Sequence, residues 1–155
     1  LSEEIENLVA VKFITADIMK ISALKAADLP LRIYFTEAGF AFGSMLGFDC
    51  GFLVSLASSN IIRARQWITA ADSGDLPLLL RYWEEMYDIM ENFYRITEAG
   101  LTDGTYDKLF CRFAVPDFPQ NMLPPYRGQS DPERIFNEYA AYLKQAHPEW
   151  LDETV

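Results

Sequence analysis

The chain has 155 residues, and half of them are hydrophobic, which suits a single folded domain and argues against disorder. Its formal net charge of −10 argues against nucleic-acid binding and against a polybasic membrane contact. Two distant cysteines without metal-ligand spacing, no secretory signal and no apolar run near the roughly 20 residues of a membrane span predict a cytoplasmic protein with reduced thiols.

The first third of the chain alternates between strand and helix patterns. An apolar run at 8–14 predicts a strand buried on both faces, and Asp17 can cap the helix that follows it. A second strand at 31–35, a helix from Glu37 to Leu46 and a third strand at 48–55 continue the pattern. Strands and helices joined by short loops predict a parallel sheet with helices outside it.

The remainder of the chain shows helix patterns and no further strand. We predict helices at 61–71 and 76–99, one opened by Thr102-Asp103-Gly104 and ending near Arg112, and a last one from about Pro132 to Gln145. A proline-rich linker at 117–126 precedes the last helix. A sheet of only three parallel strands would leave its faces and edges incompletely buried as an independent domain. The same three strands suit the end of a βα barrel with a helical extension.

Lys12 stands near the carboxyl end of the first apolar run and has two interpretations. A lysine enclosed in an apolar wall loses hydration, which favours the neutral amine that Schiff-base enzymes use as nucleophile. Alternatively, Lys12 lies at a strand end and its ammonium group reaches water. Taken alone, the residues of this run favour the second interpretation.

Four short motifs follow one another along the chain. They are Val9-Ala10-Val11-Lys12 with Thr15-Ala16-Asp17, then Ile33-Tyr34-Phe35-Thr36-Glu37, then Gly47-Phe48-Asp49-Cys50-Gly51 with Ser55 and Asn60, and finally Ser73-Gly74-Asp75 before the last helices. In this order they resemble the sixth, seventh and eighth barrel strands and the helical extension of the dihydrodipicolinate synthase / N-acetylneuraminate lyase superfamily of class I aldolases. The resemblance covers nearly the whole chain.

This resemblance implies the C-terminal part of a (β/α)8 barrel, with its last βα units in residues 1–60 and the closing helix and helical extension in 61–155. It implies that Lys12 is the catalytic residue and forms a Schiff base with pyruvate or a related 2-keto acid. The reaction would be aldol cleavage or condensation, or dehydration of a sugar acid, with no cofactor and no metal. The implied substrate-binding residues are Thr15, Thr36, Glu37 and Ser55, and family barrels commonly form dimers or tetramers.

The chain departs from the family pattern in ways that bear on activity. Ala10 replaces the glycine of the lysine strand, and Phe35-Thr36 stands where a glycine usually precedes the acidic residue. The tyrosine proton relay and the carboxylate-binding turn of the family lie on earlier strands. We therefore expect the 155 residues alone to be inactive and to need the N-terminal half of the barrel. The alternatives are a non-catalytic barrel homologue with a binding or regulatory role and a helical interaction module.

Other polar residues have simpler interpretations. Asp17 is expected to cap a helix, whereas Glu37 could either cap or contact substrate. His147, the only histidine, is not expected to be catalytic, and Cys50 is expected to be a small buried side chain. The pair Glu84-Glu85 is expected on a helix surface.

Overall fold

The chain has an α/β fold, described by a computed structural model for residues 5, 7–98, 104–126, 128 and 130–151. Its strands are β1 (Ala10–Phe13), β2 (Arg32–Phe35) and β3 (Gly51–Phe52). Its helices in these residues are α1 (Ile18–Ala26), α2 (Glu37–Met45), α3 (Ile61–Asp72), α4 (Leu76–Ile96), α5 (Thr105–Ala114) and α6 (Pro132–Ala146), with 3-10 turns at Leu56–Ser58 and Pro148–Trp150.

Two compact units divide the chain. The first consists of the residues up to Val54 together with Gln66–Glu84, and the second of Ser55–Arg65 together with the residues from Glu85 onwards. Helices α3 and α4 therefore each contribute residues to both units. The predicted boundary at residue 60 separates the last barrel units from a helical extension. The two compact units do not test that boundary, which stays a prediction.

The sheet of the first unit is parallel, with the strands in the order β1-β2-β3. Lys12 of β1 lies opposite Tyr34 of β2, and Tyr34 lies opposite Gly51 of β3. The predicted parallel pattern is thus confirmed for these three strands. β3 is much shorter than the predicted 48–55, because only Gly51 and Phe52 pair with β2 and no second strand among the described residues extends the ladder.

Side-chain caps begin the helices where the sequence suggested them. The Asp17 carboxylate accepts from the amides of Met19 and Lys20 at 2.9 and 3.3 Å, which confirms its capping role. The Asn60 side chain accepts from the second and third amides of α3, and Asp75 accepts from the Leu78 amide in the first turn of α4. Gly47, at φ 68°, follows the end of α2 in the left-handed conformation that glycine adopts readily.

One face of the sheet carries the core of the first unit. Ile33 and Phe35 of β2 are buried there, and Phe52 of β3 stacks on Phe40 of α2 with ring centroids 4.2 Å apart. Trp67 of α3 contacts both Phe40 and Phe52, and α1 packs against α2. Helices α2 and α3 therefore cover this face, and the right-handed crossover of a parallel β1-α1-β2 unit places α1 beside α2 on the same side.

The opposite face carries Lys12, Tyr34 and Gly51, which share one register row. Lys12 is exposed, Tyr34 is half-buried, and the last two residues of β1 are both exposed. The prediction that 8–14 is buried on both faces is therefore wrong for the described residues. Helices α1, α2 and α3 lie on the other side and leave Lys12 uncovered. Phe13 pairs with Phe35 on the helix side and is still 36% exposed, because β1 is an edge strand among the described residues.

The second unit has an aromatic core between helices. The rings of Phe93 (α4), Phe110 (α5) and Tyr139 (α6) lie 4.8 to 5.7 Å apart, and all three side chains are buried. Helix α4 ends at Ile96, three residues before the predicted end, and Gly100, Thr102 and Asp103 lie outside the described residues. In the part of the chain that the structure describes, none of the helices combines the length and the apolar character needed to cross a membrane.

Gly39 sets how closely α2 approaches the end of β1. A Cβ atom on Gly39 would lie 2.7 Å from the Thr15 carbonyl oxygen and 2.9 Å from the Phe35 side chain. Gly39→Ala should lower the free energy of unfolding by about 1–2 kcal/mol, because this overlap exceeds the helix-propensity gain of about 1 kcal/mol. Urea unfolding measures the change. In Gly43→Ala the new Cβ would first meet the Cys50 sulfur at 3.0 Å, so this variant should lose less stability than Gly39→Ala. A Gly39→Ala variant more stable than wild type would contradict the close approach of α2 to Thr15.

Candidate functional site

The candidate site lies on the uncovered face of the sheet, around Lys12. Lys12 is the third of four residues of β1, so its side chain leaves the sheet next to the carboxyl end of that strand. Neighbouring strands lie about 4.8 Å apart, which places the Tyr34 backbone directly beside that of Lys12. The amine is exposed and stands on a rigid strand rather than on a loop.

Tyr34 and Gly51 complete the row that starts at Lys12. A Cβ atom on Gly51 would lie 2.3 and 2.4 Å from the Cδ1 and Cε1 atoms of Tyr34, so the Tyr34 ring occupies the space that any side chain at position 51 would take. Sequence reasoning missed both residues as parts of the site. A glycine within a strand is a signal of close approach by another group, and period-two alternation places Tyr34 on the face opposite Ile33 and Phe35.

An ion pair holds β2 against the segment that leads into β3. The Arg32 guanidinium lies 2.6 Å from an Asp49 carboxylate oxygen and also donates to the Cys50 carbonyl oxygen at 3.2 Å. The hydrogen bond to Asp49 raises the pKa of Arg32 above its usual value. Because Arg32 and Asp49 each lie two residues before the paired Tyr34 and Gly51, their contact supports that register.

Three predicted substrate contacts lie at the carboxyl ends of β1 and β2. Thr15 accepts from the Asp17 amide at 3.0 Å, and its carbonyl oxygen lies near Gly39 in the first turn of α2. Thr36 precedes α2, and its side chain makes no capping hydrogen bond to that helix. Glu37 is the first residue of α2 and is half-buried. Parallel strands place all these residues at the same edge of the sheet as the end of Lys12's strand.

Ser55, the fourth predicted contact, belongs to the second unit of the chain. It is half-buried and precedes the 3-10 turn at Leu56–Ser58, where its carbonyl oxygen accepts from the Ser58 amide at 3.2 Å. Its place in the second unit leaves its proposed role as a prediction.

One cavity of the first unit lies away from Lys12. A cavity of about 460 Å³ is lined by residues at the amino ends of β2 and β3, among them Lys25, Arg32, Phe48 and Asp49. None of the predicted site residues lines it. Three of its charged groups are engaged, since Lys25 donates to the Leu46 carbonyl oxygen and Arg32 pairs with Asp49.

Two observations concern metal ligands and the Cys50 thiol. No group of three or more histidine, cysteine or acidic residues among them is arranged to hold a metal ion. Cys50 is buried, as predicted, and burial raises the pKa of its thiol to about 11, so that it is almost entirely protonated at neutral pH. Such a thiol is a poor nucleophile.

A polar cluster in the second unit was not predicted from the sequence. One Asp88 carboxylate oxygen lies 2.5 Å from the Tyr142 hydroxyl and 2.9 Å from Nε2 of His147, and Asn92 donates to the other at 3.1 Å. These contacts tie α4 to α6 and to the start of the last 3-10 turn.

The nearby ion pair of Arg63 with Glu85, at 2.6 Å, shows that Glu85 is not a plain surface residue.

Comparison of the chain with protein-family models, with curated proteins and with solved structures finds no match. The resemblance to class I aldolases therefore depends on the motifs of this chain.

Asp88 makes the stability of the second unit depend on pH. Hydrogen bonds from Tyr142 and then His147 hold the pKa of Asp88 below its ordinary value. The ionised carboxylate therefore stabilises the fold at pH values above the pKa of Asp88 in the unfolded chain, about 3.9. This stabilisation is lost as the pH falls through the lower pKa that Asp88 has in the folded protein. Asp88→Asn should cost less than about 1 kcal/mol at pH 7, because the side chain is about half exposed.

Urea unfolding at several pH values between 7 and 3 checks this prediction. The difference between wild type and Asp88→Asn should shrink as pH falls. The exposed Asp117→Asn serves as a control and should show no such trend. A constant difference across the pH range would exclude a role for the Asp88 charge.

Proposed function

We propose that the chain belongs to a lysine-dependent lyase or synthase that acts on pyruvate or a related 2-keto acid through a Schiff base at Lys12. The observation that carries this proposal is the position of Lys12. It stands on the face of a parallel sheet opposite the one that carries Phe35 and α2, one residue before the end of its strand. Barrel enzymes place their chemistry at the carboxyl ends of their strands.

The arrangement of strands and helices supports a barrel. The three strands follow one another in chain order, and α1, α2 and α3 all lie on one side of them. In doubly wound sheets the helices cover both faces, whereas in a (β/α)8 barrel they cover only the outer face. In the proposed barrel, the face with Lys12 would be the interior, and further strands would pair with the open edges of β1 and β3.

The proposed chemistry needs a free amine and no metal. The Lys12 amine adds to the keto carbon of the substrate, and loss of water gives the iminium ion. In cleavage, the bond between the carbon next to the iminium carbon and the carbon beyond it breaks. Its electron pair forms the enamine, and the other part of the substrate leaves as an aldehyde after its hydroxyl group loses a proton. In condensation, the iminium ion loses a proton from the carbon next to the iminium carbon, and the resulting enamine attacks the aldehyde carbon, whose oxygen takes up a proton. An enclosed barrel interior would favour the neutral amine that begins the reaction.

Polar groups at the strand ends would receive the rest of the substrate. Thr15, Thr36 and Glu37 supply two hydroxyl groups and a carboxylate at the same edge of the sheet, and Ser55 is the fourth proposed contact. The proton relay and the carboxylate-binding turn would come from the N-terminal half of the barrel. A cytoplasmic homo-oligomer, a dimer or tetramer, is part of the same proposal.

Reductive trapping tests the proposal on the protein that carries the complete barrel. Incubation with pyruvate and sodium borohydride should reduce the imine and leave a stable secondary amine on Lys12, which peptide mass spectrometry locates. Lys12→Arg should abolish labelling and activity while it keeps the positive charge. Lys20→Arg, a change at an exposed lysine on α1, should leave labelling unchanged.

Absence of a pyruvate adduct on the wild-type protein would contradict the catalytic role of Lys12. A folded, unlabelled barrel would then favour the non-catalytic alternative, a homologue with a binding or regulatory role. The 155 residues expressed alone should not be labelled, because they lack the remaining strands of the proposed barrel.

A further inference from the structure

The Tyr34 ring has a position that only glycine at residue 51 permits. The distances of 2.3 and 2.4 Å from a Cβ on Gly51 to the ring are far below contact distance, so even an alanine there would displace the ring. The obstructing atoms belong to a ring attached to β2, and the backbone of β3 passes beneath them. The ring is thus inclined from β2 towards β3.

This inclination determines what stands beside Lys12. Lys12, Tyr34 and Gly51 occupy one row across the three strands, with Tyr34 in the middle. Because the ring lies over Gly51, the space above β1 stays open for the Lys12 side chain and for a substrate bound to its amine. A ring displaced from Gly51 has to move away from β3, and β1 with Lys12 is the neighbour on its other side.

We infer that Tyr34 is a specificity-determining residue of the Lys12 site, and that Gly51 is the positioning residue that keeps its ring clear of the amine. The inference rests on the proposed Schiff-base function. Tyr34 forms the wall against which the carbon chain of the bound 2-keto acid packs. The wall closes the side towards β3, so the site takes short 2-keto acids such as pyruvate and excludes longer unbranched ones.

Variants at the two positions test this coupling in the complete protein. Gly51→Ala should slow borohydride trapping with pyruvate by roughly tenfold or more, because the displaced ring obstructs Lys12. Tyr34→Ala should accept 2-oxopentanoate with a KM lower than that of wild type by roughly tenfold, since the wall is gone. The double variant Gly51→Ala with Tyr34→Ala should regain trapping, because the added methyl group then has no ring to displace.

Tyr34→Phe separates the ring from its hydroxyl group. It should keep the wild-type preference for pyruvate over 2-oxopentanoate, since the wall is the ring itself. Tyr126→Ala and Gly128→Ala are matched controls in the segment before α6, and both should leave trapping and chain-length preference unchanged. Circular dichroism and thermal unfolding establish that each variant is folded before it is compared.

The outcomes distinguish this inference from the proposed function. If wild type forms no adduct with pyruvate, the proposed function fails and the specificity role fails with it. If wild type is labelled but Tyr34→Ala keeps the chain-length preference of wild type, only the inference is overturned. The same holds if Gly51→Ala folds and is labelled at the wild-type rate, or if the double variant is no better than Gly51→Ala. If Tyr34→Ala lowers the KM for 2-oxopentanoate and leaves the KM for pyruvate unchanged, the result supports Tyr34 as the wall of the site.

Discussion

The one-sided burial of the three-stranded sheet is the constraint on which the rest of the first unit depends. Phe35 and Phe52 point towards the helices, and Trp67 and Phe40 close over them. Because side chains alternate across a strand, burying these residues sends Lys12, Tyr34 and Gly51 to the other face. The apolar core therefore sets the direction of the candidate nucleophile without contacting it.

The position of α2 next to the end of β1 depends on the backbone, because it needs a glycine at residue 39. Gly39 lets the first turn of α2, which follows β2, come near the Thr15 carbonyl oxygen beyond the end of β1. The polar residues Thr15, Thr36 and Glu37 gather at this edge because both strands run in the same direction and end there. Their grouping is a consequence of parallel pairing, and it needs no direct contacts among their side chains.

Local signals explain what the sequence could predict. Asp17, Asn60 and Asp75 cap helices because their short polar side chains reach backbone amides only two or three residues away. Apolar residues of α4 likewise recur at helical spacing in the sequence, and one of them, Phe93, lies in the core of the second unit. The apolar run around Lys12 predicted a strand correctly but could not show which of its faces the helices cover.

Features that depend on distant partners could not be predicted. The cluster of Asp88 with Tyr142 and His147 joins residues 54 and 59 positions apart, and no local pattern relates them. The Tyr34 ring over Gly51 depends on strand register, which a single sequence leaves open for such short strands. The length of β3 likewise depends on which partners a strand finds and not on its own β-propensity.

The open edge of β1 affects how these 155 residues would behave when expressed alone. On its outer side β1 pairs with no other strand among the described residues, and the flanking Val9 and Ile14 are 72% and 69% exposed. An unpaired strand bordered by exposed apolar groups is a template for adding a strand from a second molecule. Self-association through this edge would be strand pairing, as distinct from an interface formed by other surfaces of the chain. A charged residue in place of Val9 would distinguish the two kinds of assembly.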